Sequence, residues 1–231
     1  MFLQTLKERN PYLLQTAVEW HQAKRIPANT FLFDLDTIRD NAAALYQAKV
    51  DNGLETYIMT KQHNRNPMIN KVALQEGLNA TVCVDEQCCH MMARYGVTVG
   101  HVGHLNQIPL REIPKVLKLH PQVWTVFSTE QAKAVSDAAG RLGMKQDILL
   151  RVYREGDIFF TGQEGGFRFD ELLLKAREIM TYPNVNIVGT VSFPCFKYNG
   201  SEGEVAEPSP NMVTIREAAE LLRDKLGIDI K

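Results

Sequence analysis

The sequence lacks an excess of either charge, a long apolar run and a recognisable export signal. Its 231 residues carry 26 Lys and Arg against 27 Asp and Glu, for a formal net charge of -1. A protein that binds nucleic acid or an anionic membrane usually carries a basic patch, which this balance does not indicate. The apolar runs are far shorter than a membrane span, and residues 1–8 do not form a signal peptide. We therefore expect a cytoplasmic protein without nucleic-acid or membrane partners.

Patterns for metal and dinucleotide binding are also missing. The 4 cysteines include no C-x-x-C pair, and Cys88 and Cys89 are adjacent, which suits joint tetrahedral chelation poorly. His101 and His104 suggest a metal pair, but residues three apart on a strand face opposite sides. No G-x-G-x-x-G follows a strand-like segment, which weighs against a dinucleotide-binding domain. We expect reduced structural thiols and no metal.

What the sequence does contain is a repeated alternation of strand-like and helix-like segments. Short apolar segments rich in β-branched residues are separated by amphipathic stretches, and they fall at residues 55–61, 80–85, 97–101, 123–127, 147–153 and 185–193. Such alternation predicts successive βαβ units and a mainly parallel sheet. Asp85 and Ser128 end two of the strands and are candidate N-caps for the next helices. The predicted fold class is α/β, with a (β/α) TIM-type barrel.

The two ends of the chain lie outside this regular alternation. Asn10 and Pro11 predict a helix that runs to about residue 24, and residues 30–36 predict one outer strand followed by a helix capped by Asp36. Residues 214–226 predict a helix that Gly227 ends, and residues 228–231 resemble the start of another strand. We count about six βα units, whereas a closed barrel has eight. We therefore expect a helical segment at 1–29 and a truncated barrel at 30–231, whose open sheet edges favour association.

Lys61 ends the first strand of the predicted barrel. Strand periodicity places it on the same face as Tyr57 and Met59, and a lysine directed at an apolar interior is unusual. Two interpretations remain open. The strand stops early and Lys61 extends into water, or Lys61 is buried, has a lowered pKa and serves as a Schiff-base nucleophile.

Arg151 lies within an apolar strand, and an arginine in that setting usually meets an anion. A structural ion pair with Asp34, Asp85 or another carboxylate explains it equally well. The glycine-containing loop at 156–167 could bind a phosphate through its backbone N–H groups, but its acidic residues oppose this, and a mobile lid or a plain turn accounts for it as well.

Three stretches together resemble a known family. They are residues 31–38 followed by Asn41, the Met59-Thr60-Lys61-Gln62 segment, and residues 147–153 leading into a glycine-containing turn. In this order they are similar to the N-terminal barrel of alanine-racemase-like, fold-type III enzymes that use pyridoxal 5'-phosphate (PLP), particularly the divergent amino-acid racemases. In that family, the strand before the barrel belongs to the outer sheet of a second, β-rich domain.

The resemblance implies that Lys61 forms the internal aldimine with PLP and transfers protons at the substrate Cα. Arg65 falls where alanine racemases have a phosphate-contacting tyrosine, and Arg151 falls where family members place a basic side chain near the cofactor's phenolic oxygen and the substrate. The family also implies a homodimer and a small amino-acid substrate. The last two strands and the C-terminal β domain, which supply phosphate contacts and the opposing base, are not found in these residues.

The sequence therefore predicts a PLP-dependent isomerase of the racemase type, present as a fragment with weak or no activity. The alternative is a non-catalytic PLP-binding protein that serves cofactor homeostasis. A PLP-free Schiff-base aldolase is the third and least favoured interpretation.

Overall fold

A computed structural model describes residues 2–78, 80–198 and 206–230 of the chain. The chain divides into two compact units, one formed by Met1–Leu54 with Lys71–Leu78 and the other by Glu55–Asn70 with Asn79–Lys231. Among the described residues, no helix has both the length and the apolar character needed to cross a membrane.

The first unit is helical. It contains helices α1 (Phe2–Arg9), α2 (Pro11–Gln22) and α3 (Leu35–Asn52), and it shares α4 (Pro67–Gln75) with the second unit. The Asn10 side chain accepts a hydrogen bond from the Leu13 N–H at 3.1 Å, which confirms the predicted cap of α2. Helix α1 was not predicted from the sequence.

The predicted outer strand at residues 30–36 is wrong. Residues 30–34 have no regular secondary structure, and α3 begins at Leu35. Asp34, not Asp36, caps this helix, because its carboxylate accepts hydrogen bonds from the N–H groups of Asp36 and Thr37 at 3.0 and 3.1 Å. A strand needs a neighbour for its backbone N–H and C=O groups, and the described part of the chain pairs none with these residues.

The second unit contains the parallel sheet. Its strands pair in the order β1-β2-β3-β4-β5, and both β6 and β7 pair with β5. The strands of this sheet are β1 (Tyr57–Met59), β2 (Ala80–Cys83), β3 (Val99–Val102), β4 (Val123–Val126), β5 (Gln146–Tyr153), β6 (Phe167–Arg168) and β7 (Val185–Val191). A separate antiparallel hairpin joins β8 (Phe196–Tyr198) to β9 (Ala206–Pro208). Short β6 and this hairpin were not predicted.

The remaining helices connect these strands. They are α5 (Glu86–Arg94), α6 (Ile113–Leu117), α7 (Thr129–Arg141), α8 (Leu172–Met180) and α9 (Pro210–Leu226). Asp85 and Ser128 accept hydrogen bonds from the N–H groups of Cys88 and Gln131, so both predicted caps are confirmed. Gly227 ends α9 with φ of 65°, as predicted, because a left-handed backbone favours glycine.

The core of this unit lies on the strands. Trp124, Ile148 and Leu150 are completely buried, and burial of such side chains stabilises the fold by about 1.5–3 kcal/mol each. The predicted fold class is confirmed: the 7-stranded parallel sheet, with helices between most of its strands, forms an incomplete TIM-type barrel. Residues 228–230, predicted to start another strand, have no strand structure.

Candidate active site at the carboxyl ends of the strands

The parallel strands of the second unit end at a common edge, where barrel enzymes place their sites. Strand β1 ends at Met59, Thr60 follows, and Lys61 opens a 3₁₀ turn at Lys61–His63. Thr60 is completely buried, and its hydroxyl lies 3.2 Å from Cys88 Sγ and donates to the Val82 carbonyl at 3.5 Å. This packing fixes the backbone directly before Lys61.

The Lys61 side chain is exposed. The strand stops two residues before it, so the alternation that placed Lys61 on the apolar face no longer applies there. The interpretation of a lysine buried by the strand is therefore wrong, although its amine still lies at the carboxyl edge of the sheet. An exposed amine remains accessible to a carbonyl compound.

Arg65 already has an anionic partner within the protein. Its Nη2 donates to Asp85 Oδ2 at 2.8 Å, and both side chains are about a quarter exposed, at 29% and 25%. Burial lowers the pKa of Arg65, but Asp85 and Cys88 outweigh it and the net shift is upward. A phosphate at Arg65 would have to share this guanidinium with Asp85, although the Arg65 Nε has no partner among the described residues.

Arg151 is buried, with 1% exposure, on β5. Its Nη2 donates to the carbonyl oxygens of Gln163 and Phe193 at 3.3 Å each, whereas Nε and Nη1 have no hydrogen-bond partner among the described residues. Its guanidinium carbon lies 5.9 Å from the ring centres of Phe127 and Phe159.

Burial lowers the pKa of Arg151 despite the opposing effects of Cys195 and Asp157. Of the carboxylates considered from the sequence, Asp85 pairs with Arg65 instead. A buried cation with two free donors favours an anionic ligand over a structural ion pair.

His104 joins this cluster, although sequence reasoning assigned it no role beyond an unlikely metal pair. Strand β3 ends at Val102, so His104 follows it in a loop, and its ring returns to within 5.2 Å of the His101 ring. The opposite-face argument therefore does not hold at this position. The His104 ring also meets Phe193 edge-on at 5.3 Å, and its Nδ1 is buried without a partner among the described residues.

Both histidines are neutral at pH 7. Burial first, and then the positive charges of Arg151 and Lys61, lower the pKa of His104 to about 4. Burial and His104 lower the pKa of His101 to about 3, and its Nε2 lies 2.6 Å from the Thr125 hydroxyl. Phe193 connects Arg151 with His104, because its carbonyl accepts a hydrogen bond from Arg151 and its ring meets the His104 ring. Lys61 acts on His104 electrostatically. The described residues contain no group of three or more His, Cys, Asp or Glu arranged to hold a metal ion.

This site offers an accessible primary amine, a buried guanidinium with unused donors and an uncharged imidazole with an unused nitrogen. Such a set suits a ligand that carries both a carbonyl group and an anionic group. The orphaned donors of Arg151 therefore fit an anionic aldehyde such as PLP.

Comparison with known proteins agrees with this geometry. The family described as "Alanine racemase, N-terminal domain" matches residues 33–231. The chain belongs to this family. The resemblance of the sequence to the N-terminal barrel of alanine-racemase-like, fold-type III PLP-dependent enzymes is thereby confirmed.

A curated relative of this family member is "Uncharacterized protein YhfX" from Escherichia coli (strain K12), with 35% identity over 231 residues. The match covers 100% of this chain and 59% of the relative, so the chain spans about three fifths of the length of that protein.

Two solved structures share the fold. D-threonine aldolase from Filomicrobium marinum has a TM-score of 0.58 and 16% identity, over 71% of this chain and 43% of that one. Alanine racemase from Clostridium difficile 630 has a TM-score of 0.57 and 16% identity, over 82% of this chain and 49% of that one. The similarity concerns the barrel, since identity this low shows the fold alone.

Proposed function

We propose that this chain is the PLP-binding barrel of an amino-acid racemase-like enzyme, with Lys61 as the residue that attaches the cofactor. The observation that carries the proposal is Arg151, a buried guanidinium with two donor atoms that have no partner among the described residues and with Phe193 between it and His104. Membership in the alanine racemase N-terminal domain family supports PLP as the ligand.

Three residues of this chain would have separate roles in binding the cofactor and the substrate. Lys61 would hold the cofactor by condensation of its amine with the aldehyde, which releases the aldehyde oxygen as water. Once the amino group of the substrate displaces it, the free Lys61 amine would accept or return a proton at the substrate Cα. When bound, PLP supplies an electron sink for that carbon. Arg151 would donate hydrogen bonds to the phenolic oxygen of the cofactor or to the substrate carboxylate. Arg65 is the candidate phosphate contact, in competition with Asp85.

His104 would act as an uncharged neighbour of the attached cofactor. Because its pKa is about 4, the imidazole is neutral in the physiological range and can accept or donate one hydrogen bond without adding positive charge beside Lys61 and Arg151. A protonated histidine in this place would repel both cations. Because His104 is uncharged, it adds no electrostatic repulsion to the Lys61 amine or the Arg151 guanidinium.

The proposal extends to association and location. In alanine-racemase-like enzymes a second subunit usually contributes to the site, and membership in this family supports association. We propose a homodimer in the cytoplasm, acting on a small amino acid.

A non-catalytic PLP-binding protein is the second candidate, and the exposure of Lys61 favours it. An accessible amine can take up and release an aldehyde readily, whereas a catalytic site usually excludes water from the reacting atoms. This candidate shares the Lys61 attachment and differs in the absence of turnover.

Spectroscopy with added PLP tests the attachment. We expect an absorption band near the visible that disappears in Lys61→Ala and persists in Lys118→Ala, which removes another exposed lysine of the same unit. Borohydride reduction followed by peptide mass analysis should place the label on Lys61. A band that is unchanged in Lys61→Ala would contradict the proposal.

Exchange of the Cα hydrogen separates the two candidates. Incubation of amino acids with PLP-loaded protein in deuterated water should give deuterium at Cα if the protein is an enzyme. Attachment of PLP at Lys61 without any exchange at Cα supports the non-catalytic PLP-binding protein.

A further inference from the structure

The loop at residues 154–163 is held by one face of helix α9. Asn211 is completely buried near the start of this helix. Its Oδ1 accepts a hydrogen bond from the Ile158 N–H at 2.8 Å, and its Nδ2 donates to the Ile158 carbonyl at 3.0 Å and to the Ser192 hydroxyl at 3.0 Å. A single side chain therefore satisfies both backbone groups of Ile158.

Two further residues of α9 hold the beginning of the same loop. Thr214 donates to Asp157 Oδ1 at 2.7 Å, and Glu217 pairs with Arg154 Nη1 at 2.6 Å. Asn211, Thr214 and Glu217 are spaced three residues apart and so lie along one side of the helix. The conformation of the loop is thus set by contacts 53 to 63 residues away in the sequence.

The residues directly after Ile158 line the candidate active site. The Phe159 ring lies against the Arg151 guanidinium, and the Phe160 ring lies 5.6 Å from the Phe193 ring, which in turn meets His104. We call Phe159 and Phe160 the aromatic wall. Further along the loop, the Gln163 carbonyl accepts a hydrogen bond from Arg151.

We propose that Asn211 is a positioning residue that fixes the aromatic wall against Arg151 and Phe193 and so keeps water away from the ligand-binding groups. Asn211 hydrogen-bonds the residue next to this wall and acts on the site only through the loop. The proposal rests on the proposed function for its ligand, PLP, but not for its structural content.

Asn211 suits this task better than an apolar residue would. The N–H and C=O of Ile158 both bond to Asn211 in a partly buried environment. A backbone group left unpaired there costs up to about 1–3 kcal/mol. Without Asn211, Ile158 regains partners most easily by moving outward to water, and Phe159 and Phe160 would move with it. The two hydrogen bonds from Asn211 to Ile158 therefore hold the aromatic wall at a fixed distance from the site.

The pKa of His104 reports on the position of the aromatic wall, and a general loss of stability does not change it in the folded protein. Burial is the largest cause of the lowered pKa of His104. If the wall moves outward, water reaches His104 and its pKa rises toward the ordinary 6.5. The titration of His104 can be followed by NMR of the imidazole in the chain without any cofactor.

The test compares Asn211→Leu and Asn211→Asp with a control, Thr190→Val. Leucine keeps the number and branching of the side-chain heavy atoms and removes both hydrogen bonds to Ile158, whereas aspartate keeps the acceptor for the Ile158 N–H. Thr190 donates to the Ile215 carbonyl of α9 at 2.8 Å, so its replacement removes one hydrogen bond between the same helix and β7 without touching the loop.

We expect Asn211→Leu to raise the pKa of His104 by about one unit or more, and Asn211→Asp to raise it less. The dissociation constant for PLP should increase about tenfold in Asn211→Leu, equivalent to about 1.4 kcal/mol. Thr190→Val should change neither quantity, even where thermal unfolding shows a comparable loss of stability.

A folded Asn211→Leu in which His104 titrates as in the wild type overturns the positioning role, and so does an equal shift in Thr190→Val. A wild-type chain that fails to bind PLP overturns the proposed function instead, since the His104 titration still decides the role of Asn211.

Discussion

Replacement of Gly166 by alanine should displace Arg151, because the two residues are in close contact. Gly166 has φ of 122°, and a Cβ built on it would meet the Arg151 carbonyl oxygen and lie 2.6 Å from Arg151 Cγ. Neither atom can yield easily: the oxygen belongs to the backbone of β5, and Cγ lies close to that backbone. Alanine therefore forces β5 and the segment at 165–167 apart.

The neighbouring glycine supplies a matched control. Gly165 has φ of 108°, and a Cβ added there would meet nothing within 4 Å. Both replacements place an L side chain in a backbone region that it rarely adopts, at a cost of about 1–3 kcal/mol. Only Gly166→Ala adds the collision with Arg151, and overpacking of this kind costs about 1–3 kcal/mol more.

Urea unfolding of both variants measures this difference, and PLP binding measures its effect on the site. We expect Gly166→Ala to be less stable than Gly165→Ala by about 1–3 kcal/mol and to bind PLP at least about tenfold more weakly, since each 1.4 kcal/mol of lost interaction is a factor of ten. Equal stability and equal PLP affinity in the two variants would refute the reasoning that Gly166 positions Arg151.

Two further predictions concern buried charge. Arg151→Met should stabilise the chain without ligand by about 1–2 kcal/mol in urea unfolding, because it removes two unpaired buried donors. It should also weaken PLP binding by about tenfold if Arg151 contacts the cofactor. A loss of stability would contradict the interpretation that Arg151 binds an anionic ligand. Acid should destabilise the protein through His101 and His104, whose pKa values in the fold, about 3 and about 4, lie below the ordinary 6.5. Between about pH 6.5 and pH 3 the two histidines bind more protons in the unfolded chain than in the folded one. They therefore do not change the free energy of unfolding above pH 6.5, lower it increasingly as the pH falls to about 3, and change it no further below that. In a pH series of unfolding measurements, the double variant His101→Gln, His104→Gln should lose less stability than the wild type over that window.

The barrel was predictable because its signals are local. Alternating strands and helices, the caps at Asn10, Asp85 and Ser128, and the left-handed Gly227 each depend on a few neighbouring residues. The outer strand at 30–36 failed for the opposite reason. Its composition suits a strand, but strand formation depends on a partner that sequence periodicity cannot identify.

The site was only partly predictable. The sequence singles out Lys61 and Arg151 by their unusual positions in or after apolar strands, and the structure connects Arg151 to His104 through Phe193. The exposure of these side chains was not predictable from the sequence. The burial of Arg151, for example, depends on Phe159 in a loop and on Phe193 after another strand. His104 was set aside because strand alternation was extended two residues beyond the end of β3 at Val102.

The contrast between an exposed Lys61 and a buried Arg151 follows from two physical requirements. Formation of a bond between an amine and an aldehyde needs access for the incoming carbonyl compound, so the exposure of Lys61 suits the attachment that we propose for it. Recognition of an anion by hydrogen bonds gains from a low dielectric, where each charged contact is worth several times its value in water. The aromatic wall over Arg151 provides the low dielectric that anion recognition needs. The same wall over Lys61 would block access for the carbonyl compound. The loop that Asn211 holds contacts Arg151 through Phe159 and leaves Lys61 open, so one element of the fold meets both needs.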